Sequence, residues 1–501
     1  MQQRHQQSVW LGLQAFQGDL MQTEKLYYPK PVPELELHVT ANIGWVLWPV
    51  AGEFREGMSF STHDRYEADG YILDYLSLCN GLRSTKDIED AMEQQIGPVL
   101  GPAFADKALE ISQKSGFVEL LETPLTKASA IKITGDRKGF FPTHSTFEII
   151  ETCNFTCDHC YYASSPHKTG RISLEDAIAV MDNLAKNGVR VIELTGGECT
   201  IHPDFRNILQ YASDTFDLVA VISNGFQFGT ESSELADFVS SLPNVLVQIS
   251  IDGMKEWHDE FRKHKHAFRN ATRAVSRFVK EKVPVRIACS ISSESVDQIE
   301  PVYRLAKELG VPNVSFSPVG TLGRGCNISD PGAGSRELYH AIESRLAPFA
   351  GDPILAHGTE PNALQRNCGA GWRSVAVNYD GDVRACNYSR DSKKMGNVLH
   401  ETYSMIFSQK SGFLFHNAMM PGGKECKDCA YFHNCRGCFV KAFMTSETIH
   451  PECAWRKQWF GDMSLDLDPA RTAAGNSREI LLELPQRQYT KTICSDCQCE
   501  H

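Results

Sequence analysis

The sequence lacks the features expected of a membrane, secreted or nucleic-acid-binding protein. No apolar run reaches the roughly 18 residues of a membrane-spanning helix. The first residues, MQQRHQQSVWLGLQAF, contain neither the apolar core nor the small-residue cleavage site of a signal peptide. Basic residues are outnumbered, with 50 Lys and Arg against 62 Asp and Glu, and the net charge of −12 disfavours broad nucleic-acid binding. We therefore expect a cytoplasmic protein with no nucleic-acid or membrane partner.

Cysteine, by contrast, is abundant, with 17 among the 501 residues. Cytosolic thiols are kept reduced, so clustered cysteines in that compartment indicate metal or redox chemistry rather than disulfides. Three lie at 153–160, seven between 368 and 453, and three in the last eight residues. Four others are isolated, and we expect them to be small buried hydrophobic residues. These four are Cys79, Cys199, Cys289 and Cys326.

Short β-branched runs alternate with amphipathic helical patterns from about residue 140 to residue 320. The expected strands are 147–153, 191–198, 218–225, 245–253, 283–292 and 314–320. The helical patterns include 173–188 and 295–310, the second ending at Gly310. Strand–helix repetition predicts an α/β fold with a parallel sheet. Six such units could curl into a partial (β/α)6 TIM-like barrel, whose site would lie at the C-terminal ends of its strands.

The regions on either side of the barrel have a different character. The pattern of the region before the barrel predicts two or three strands, three helices and a last strand, which form a winged-helix-like module. Ser84 is the expected N-cap of its second helix, with Asp87 three residues later. The predicted divisions are an N-terminal extension (1–34), this module (35–122), a linker (123–143), the barrel (144–345), a cysteine-rich domain (346–465) and a cysteine-containing tail (466–501).

Cys153, Cys157 and Cys160 form a C-x3-C-x2-C cluster that begins where the first barrel strand ends. Structural zinc needs four protein ligands, whereas a [4Fe–4S] cube held by three thiolates keeps one iron free for a small molecule. From the residues alone, the alternative is a zinc or structural site completed by a distant ligand such as His159.

Polar groups and glycines follow the next three strands, so they should gather around the same mouth of the barrel. Glycines let the backbone approach a ligand closely, and a carboxylate can receive an ammonium group. The candidate ligand-binding residues are Gly196, Gly197, Glu198, Ser223, Asn224, Ser250 and Asp252.

With these motifs, residues 147–320 resemble the radical S-adenosylmethionine (SAM) enzymes, whose signature is C-x3-C-x2-C with an aromatic residue next to the last cysteine. The resemblance implies that the three cysteines hold a [4Fe–4S] cluster, whose unique iron binds the amino and carboxylate groups of SAM. It also implies that the Gly-Gly-Glu turn receives the SAM amino group. Tyr161 or Tyr162 would lie near adenine, and Ser250 near the ribose or carboxylate. Reductive cleavage of SAM would give a 5′-deoxyadenosyl radical that abstracts a substrate hydrogen.

The second cysteine group has the spacing C-x2-C-x5-C-x2-C near its end, and its members are Cys368, Cys386, Cys426, Cys429, Cys435, Cys438 and Cys453. Paired C-x2-C motifs also occur in zinc ribbons, which is the alternative. Seven cysteines fit two iron–sulfur clusters better than one zinc site. The pattern resembles the SPASM domain, a C-terminal extension of radical SAM enzymes with two auxiliary clusters, although its final x2 spacing is shorter than the usual x3.

By that resemblance, two auxiliary clusters, expected to be [4Fe–4S], have separate ligand sets. The distal set is Cys426, Cys429, Cys435 and Cys453, and the proximal set is Cys368, Cys386 and Cys438. Either the proximal cluster is open to a substrate thiolate, or a remote cysteine such as Cys326 completes it. Sulfatase-maturing enzymes carry an aspartate base directly after the cysteine that corresponds to Cys386. Asn387 stands here and cannot take a proton, which argues against that activity.

The front module resembles the RiPP recognition element, a winged-helix domain that captures leader peptides of ribosomally made natural products. Residues 78–92 carry the likeness, and a leader would bind as an added strand. The alternative is a structural cap without a ligand. Cys494, Cys497 and Cys499 fit neither cysteine motif. We expect them to belong to a tail without a catalytic role. The alternatives are a shuttle or a ligand group for a cluster or metal, and a substrate-like segment.

These resemblances imply a radical SAM/SPASM peptide maturase similar to the thioether-forming sactisynthases and ranthipeptide synthases. Its expected partners are a precursor peptide with a leader and a reductant such as flavodoxin or ferredoxin. A cysteine thioether is the expected product, while carbon–carbon or carbon–oxygen crosslinking and epimerisation use the same parts. The alternative from a different class is a non-enzymatic iron–sulfur or zinc protein that carries electrons or binds a peptide.

Overall fold

The computed structural model describes most of the chain between residues 26 and 460. The described ranges are 26–41, 43–55, 58–320, 322–328, 333–355, 367–389, 394–407, 415–416, 418–422, 426–435, 438–448 and 450–460. The tail cysteines Cys494, Cys497 and Cys499 lie outside these residues.

The N-terminal module is a small sheet covered by helices. Its strands are β1 (Tyr28–Pro31), β2 (Glu36–Val39), β3 (Ile43–Arg55), β4 (Met58–Asp69), β5 (Val118–Leu121) and β6 (Lys132–Gly135). Its helices are α1 (Gly70–Leu78), α2 (Thr85–Ile96) and α3 (Leu100–Lys114). Four strands pair in the order β4-β3-β2-β6, and β1 pairs with β5. The segment predicted as a linker therefore contributes β6, which pairs parallel to β2.

The predicted N-cap of α2 is present. Ser84 Oγ accepts a hydrogen bond from Asp87 N at 3.1 Å, and Asp87 Oδ2 accepts one from Ser84 N at 2.8 Å. This reciprocal capping box satisfies two backbone donors that the first turn of a helix otherwise leaves unpaired.

Six parallel strands form the barrel, in the spatial order in which they occur along the chain. They are β7 (His144–Ile150), β8 (Val191–Gly196), β9 (Leu218–Ser223), β10 (Val245–Ser250), β11 (Val285–Ile291) and β12 (Asn313–Pro318). The predicted α/β partial barrel is confirmed. The helices between the strands are α4 (Leu174–Lys186), α5 (Phe205–Thr215), α6 (Glu234–Ser241), α7 (Lys255–Phe261), α8 (Ala267–Lys280) and α9 (Ile299–Glu308).

The 295–310 pattern forms less helix than predicted. A 3-10 turn covers Val296–Gln298, and α9 then ends before Gly310, whose φ of 72° is the left-handed conformation that glycine adopts readily at a helix end.

The cysteine-rich region continues the same sheet. Strand β13 (Ser374–Val377) pairs parallel to β7, and a hairpin of β14 (Asp382–Arg384) and β15 (Lys394–Asn397) extends the edge, giving nine strands. The remaining described helices are α10 (Ala333–Leu346), α11 (Tyr403–Phe407), α12 (Phe432–Cys435), α13 (Phe439–Thr448) and α14 (Ala454–Phe460). Because one sheet runs through both regions, the barrel and the cysteine-rich region share a core.

Glu148 of β7 and Arg384 of β14 form an ion pair beneath this junction. Their side chains are 0% and 2% exposed. Arg384 Nη1 also donates to the carbonyl of Ser389 at 3.1 Å. A paired charge in a buried site is costly to break from one side, since the remaining charge loses its compensation.

His38 of β2 joins the N-terminal module to the barrel. Its Nε2 donates to the carbonyl of Phe141 at 2.8 Å, and its Nδ1 accepts from the Thr134 hydroxyl at 2.9 Å. The ring lies against Gly188, where an added Cβ would come within 2.2 Å of it. Phe141 and Gly188 directly precede β7 and β8, so the module contacts the N-terminal ends of these strands, away from the predicted site.

We expect Arg384→Met to lower the free energy of unfolding by about 3–5 kcal/mol, because it leaves the Glu148 carboxylate buried without its guanidinium. Urea unfolding of the apoprotein, followed by circular dichroism, measures the loss. The matched control is Lys394→Met, which breaks an exposed ion pair with Asp382 in the same hairpin and should cost roughly 1 kcal/mol or less. Equal losses in the two variants would contradict the assigned role of the buried pair.

Stability should also fall with acidification through His38. Burial lowers the pKa of His38 to about 4 from the usual 6.5, so the unfolded chain binds a proton more readily. The stability that neutral His38 contributes is complete above pH 6.5 and is lost as the pH falls from about 6.5 to about 4. Melting temperatures measured across this range should decline more steeply for the wild type than for His38→Gln. Parallel pH profiles would show that another group controls the decline.

Candidate active site and auxiliary cysteine sets

The three cysteines of the first cluster lie together in the loop that follows β7, which we call the cluster loop (residues 151–163). Cys153 and Cys157 are buried in a small core with Phe155 and Ala267, and Cys160 packs against it. The backbone N–H of Phe155 donates to Cys153 Sγ at 3.4 Å. The fold therefore brings the predicted ligands to one place, at the C-terminal end of the first barrel strand.

Burial disfavours the thiolate forms of Cys153 and Cys157. Burial raises the pKa of Cys157 to about 12, against the lowering effect of the Arg262 charge, and burial also raises the pKa of Cys153. The thiolate is the form that binds metal, so iron has to displace protons here. Buried thiols that lie close together beside the Arg262 charge fit a metal assembly that binds them as thiolates.

The described residues offer no suitable fourth ligand for the zinc alternative. Among the described residues, no group of three or more His, Cys, Asp or Glu side chains has the arrangement that holds one metal ion. His159 instead stacks on Phe261, with ring centroids 4.4 Å apart, and its Nε2 lies 3.5 Å from Asp252 Oδ2. An iron–sulfur cube binds each thiolate at a different iron, so it needs more widely spaced sulfurs than one ion does. The residues fit a cube better than a zinc ion.

The turn after β8 presses against the cluster loop through backbone atoms. Gly197 N donates to the carbonyl of Ile150 at 2.7 Å, and Glu198 N donates to that of Thr152 at 3.0 Å. A Cβ at Gly196 would lie 2.1 Å from the carbonyl oxygen of Ile150 at the end of β7, and one at Gly197 would lie 2.1 Å from that of Thr152 in the loop. Both predicted glycines are therefore required by a close approach.

Glu198 is buried and its carboxylate is largely satisfied by protein donors. Oε1 accepts from the hydroxyls of Thr200 and Ser223 at 2.6 and 2.9 Å, and Oε2 accepts from Asn224 N at 2.7 Å. Burial raises the pKa of Glu198. Oε2 receives one of these bonds and retains acceptor capacity, so it could receive an ammonium group as predicted.

Ser223 and Asn224 tie neighbouring turns together. Ser223 Oγ also accepts from Gly225 N at 2.9 Å. The side-chain amide of Asn224 donates to Asn154 Oδ1 of the cluster loop at 2.8 Å. Both residues thus support the loop and Glu198, while their predicted contact with a cofactor stays a prediction.

Asp252 supports Arg262 behind the cluster loop, a contact that was not predicted. Its carboxylate is fully buried, accepting from Arg262 Nε at 2.7 Å and from Ser290 N at 2.9 Å. Burial alone would raise the pKa of Asp252, but the Arg262 charge lowers it to about 2. Asp252 therefore holds Arg262 behind the cluster loop, while its predicted contact with a cofactor stays a prediction. Ser250, at the end of β10, is partly exposed.

The two tyrosines after Cys160 face the cysteine-rich region. Tyr161 hydrogen-bonds the side chain of Asn387, and its ring lies 5.4 Å from that of Tyr388. Burial raises the pKa of Tyr162, and Glu148 lies close enough to raise it further. These contacts do not test the predicted proximity to adenine. The contacts of Tyr161 join the cluster loop to the segment that follows Cys386.

The two predicted auxiliary sets are each brought together. Burial raises the pKa of Cys386 to about 12, and its neighbours Cys438 and Cys368 raise it further. Burial likewise raises the pKa of Cys435 to about 12, with the other three distal thiols nearby. The four distal cysteines line one small cavity, which Trp455 also borders: Cys426, Cys429, Cys435 and Cys453.

The sequence analysis missed three cations beside these cysteines. Arg262 is held by Asp252, Arg324 contacts the cluster loop, and Lys441 lies next to Cys438. In the sequence each of them is only a basic residue in a helix or turn, and the Arg324 contact joins segments 167 residues apart.

Comparison with known proteins defines the family. The radical SAM superfamily matches residues 147–306, and the SPASM iron–sulfur cluster-binding domain matches residues 368–438. The chain is 32% identical to the antilisterial bacteriocin subtilosin biosynthesis protein AlbA of Bacillus subtilis over 337 residues, which cover 65% of this chain and 74% of AlbA. It is 33% identical to the sporulation killing factor maturation protein SkfB of the same species over 199 residues, or 38% of this chain and 48% of SkfB.

Among solved structures, the fold is similar to that of Streptococcus suis SuiB bound to precursor peptide SuiA. The TM-score is 0.57 at 12% identity, over 83% of this chain and 97% of SuiB. The chain therefore belongs to the radical SAM superfamily, as an enzyme of its SPASM-containing peptide maturases. This membership implies SAM and an iron–sulfur cluster in the barrel and further clusters in the SPASM domain, and it argues against the non-enzymatic alternative. Within the described residues, no helix is long and apolar enough to cross a membrane.

Gly197→Ala should lower SAM affinity by about tenfold or more, since forcing a Cβ against the Thr152 carbonyl costs roughly 1–3 kcal/mol. Binding is measured by equilibrium dialysis with the iron-loaded protein. Gly422→Ala is the control, because its nearest Cβ neighbour would be 4.0 Å away. Undiminished affinity in Gly197→Ala would show that the close approach of the two backbones does not shape the SAM site.

Proposed function

We propose that this enzyme joins a cysteine sulfur of a precursor peptide to a carbon of the same peptide, giving a thioether. The barrel site and SAM would supply, when loaded, a 5′-deoxyadenosyl radical that removes a hydrogen atom from the peptide. To form the carbon–sulfur bond, the cysteine then loses its proton, and the carbon radical and the thiolate together give up one electron. The peptide loses two hydrogens in total, one to deoxyadenosine and one as a proton, and the electron passes to the auxiliary clusters.

The observation that carries the proposal is the short connection between the barrel site and the proximal set. Tyr161 directly follows Cys160, and it contacts both residues that follow Cys386. A peptide lying between the two sites could therefore present a carbon to one and a thiolate to the other. Similarity to AlbA, a bacteriocin subtilosin biosynthesis protein, and to SkfB, a killing-factor maturation protein, supports a peptide as the substrate.

The proximal set is suited to an incoming thiolate. Cys368 is exposed, whereas Cys386 and Cys438 are partly buried. Cys326, the remote candidate for a fourth ligand, lies in the 3-10 turn Gly323–Asn327, where its Sγ donates to the Gly323 carbonyl at 2.8 Å. We favour a proximal cluster with three protein ligands and a place for substrate sulfur.

Lys441 adds a positive charge beside the position proposed for the substrate sulfur. Its backbone N–H donates to Cys438 Sγ at 3.4 Å, and its ammonium lies 5.2 Å from the centroid of the Tyr388 ring. In the part of the chain that the structure describes, no carboxylate pairs with this ammonium. An unpaired cation here would favour a thiolate over a thiol in the bound peptide.

The leader of the precursor is proposed to bind the N-terminal module. In the described sheet β4 and β6 are the outer strands, and an added leader strand would extend one of them. The module contacts the N-terminal ends of β7 and β8, while the cysteines lie at the opposite ends. A six-residue strand such as β8 spans roughly 20 Å, so the peptide between leader and modified residue must cover at least that distance.

The number and type of clusters complete the proposal. Three [4Fe–4S] clusters, one in the barrel and two in the SPASM domain, require about twelve irons per chain. A flavodoxin or ferredoxin would reduce them, and the reduced thiols favour the cytoplasm as the compartment.

Two cysteine variants should separate radical formation from crosslinking. Cys153→Ala should abolish both 5′-deoxyadenosine and the peptide product, because it removes a barrel ligand. Cys386→Ala should keep deoxyadenosine formation but lose at least about nine-tenths of the product, since the proximal set takes the sulfur and the electron. Reconstituted enzyme is incubated with SAM, dithionite and precursor peptide, and products are followed by mass spectrometry.

The wild type should produce a peptide lighter by two hydrogens per thioether, and a Cys→Ala core peptide should lose that change. Iron analysis should give about twelve irons for the wild type and about eight for each variant, which confirms that only one cluster was removed. If the wild-type enzyme still removes two hydrogens from the Cys→Ala core peptide, carbon–carbon or carbon–oxygen crosslinking is favoured. An unchanged mass with altered stereochemistry would favour epimerisation.

A further inference from the structure

The segment after the sixth barrel strand lies on the cluster loop. Strand β12 ends at Pro318, and the 3-10 turn Gly323–Asn327 follows. Arg324 N donates to the Cys160 carbonyl at 3.0 Å, and Arg324 Nε donates to the Cys157 carbonyl at 2.7 Å. A single residue thus holds the carbonyls of two predicted iron ligands.

The glycines on both sides of Arg324 make this contact possible. A Cβ at Gly323 would lie 2.3 Å from the Cys160 carbonyl oxygen, and the φ of Gly323 is 57°. A Cβ at Gly325 would lie 2.4 Å from the Gly320 carbonyl oxygen. The backbone therefore approaches the loop closely, and Arg324 supplies the side chain at the contact.

Arg324 also carries a donor that the protein leaves unpaired. Its Nη2 is buried and, among the residues that the structure describes, has no hydrogen-bond partner. A guanidinium stays charged in proteins, and a buried charged donor without an acceptor is strongly unfavourable. The charge lies close enough to Cys157 to lower its pKa, together with the charge of Arg262. A negatively charged group bound by the cysteines is the acceptor that this geometry lacks.

We propose that Arg324 is a positioning residue that fixes the last turn of the cluster loop and donates from Nη2 to a sulfur of the bound iron–sulfur cluster. This inference rests on the iron–sulfur site of the proposed function. A reduced cluster carries one more negative charge than an oxidised one, so a neighbouring guanidinium stabilises the reduced form. Arg324 therefore raises the reduction potential of the barrel cluster and makes the electron for SAM cleavage easier to deliver.

The test compares midpoint potentials of the barrel cluster in SAM-free holoenzyme, by redox titration monitored with electron paramagnetic resonance. Arg324→Gln should have a lower potential than the wild type, whereas Arg324→Lys, which keeps the charge, should stay close to it. The auxiliary clusters of the same sample serve as the internal reference and should not shift. Arg304→Gln is the matched control, since Arg304 forms an exposed ion pair with Glu300 on α9.

An unchanged barrel-cluster potential in Arg324→Gln would overturn the proposal. So would a loss of SAM affinity without a potential shift, because the partner of Nη2 would then be the SAM carboxylate. If Arg324→Gln does not retain the cluster, Arg324→Lys still provides a test, because lysine cannot bond the Cys157 carbonyl and the cluster together. Chelators should then remove its barrel iron several-fold faster than from the wild type, and equal rates would overturn the proposal. A wild type that forms no barrel cluster would instead contradict the proposed function.

Discussion

The cluster loop is held by its backbone, and the rest of the site depends on that constraint. Its cysteine side chains are reserved for iron and cannot also anchor the loop. Carbonyl oxygens do so instead, accepting from Gly197 N, Glu198 N and two nitrogens of Arg324. Each approach needs glycine, since a Cβ at Gly197 or Gly323 would meet a loop oxygen at 2.1 or 2.3 Å. The backbone of the predicted iron ligands is therefore fixed by contacts that do not use their side chains, which limits the ordering that cluster assembly would require.

The same loop connects the barrel to the SPASM domain. The buried ion pair of Glu148 with Arg384 joins their strands within one sheet, and the contact of Tyr161 with Asn387 joins their cysteine loops. A reaction that links a carbon held at one site to a sulfur held at the other needs a fixed distance between them. The continuous sheet supplies that rigidity.

Local spacing carried most of what the sequence predicts correctly. The six strands and the capping box at Ser84 follow from patterns a few residues long, whereas the grouping of the auxiliary cysteines came from the resemblance to the SPASM domain. Strand β6 was not predicted, because a four-residue strand leaves little periodicity. The contact of Arg324 with the cluster loop was not predicted for another reason. Arg324 meets Cys157 across 167 residues, and such contacts depend on how the barrel closes.

We expect the three thiolates of the barrel site to leave one iron of the cluster free to bind SAM. Electron–nuclear double resonance of the reduced holoenzyme with SAM labelled by ¹⁵N at its amino group tests it directly. We expect a ¹⁵N hyperfine coupling to the barrel cluster in the wild type and none in Cys153→Ala. A fully loaded wild-type cluster without nitrogen coupling would contradict it.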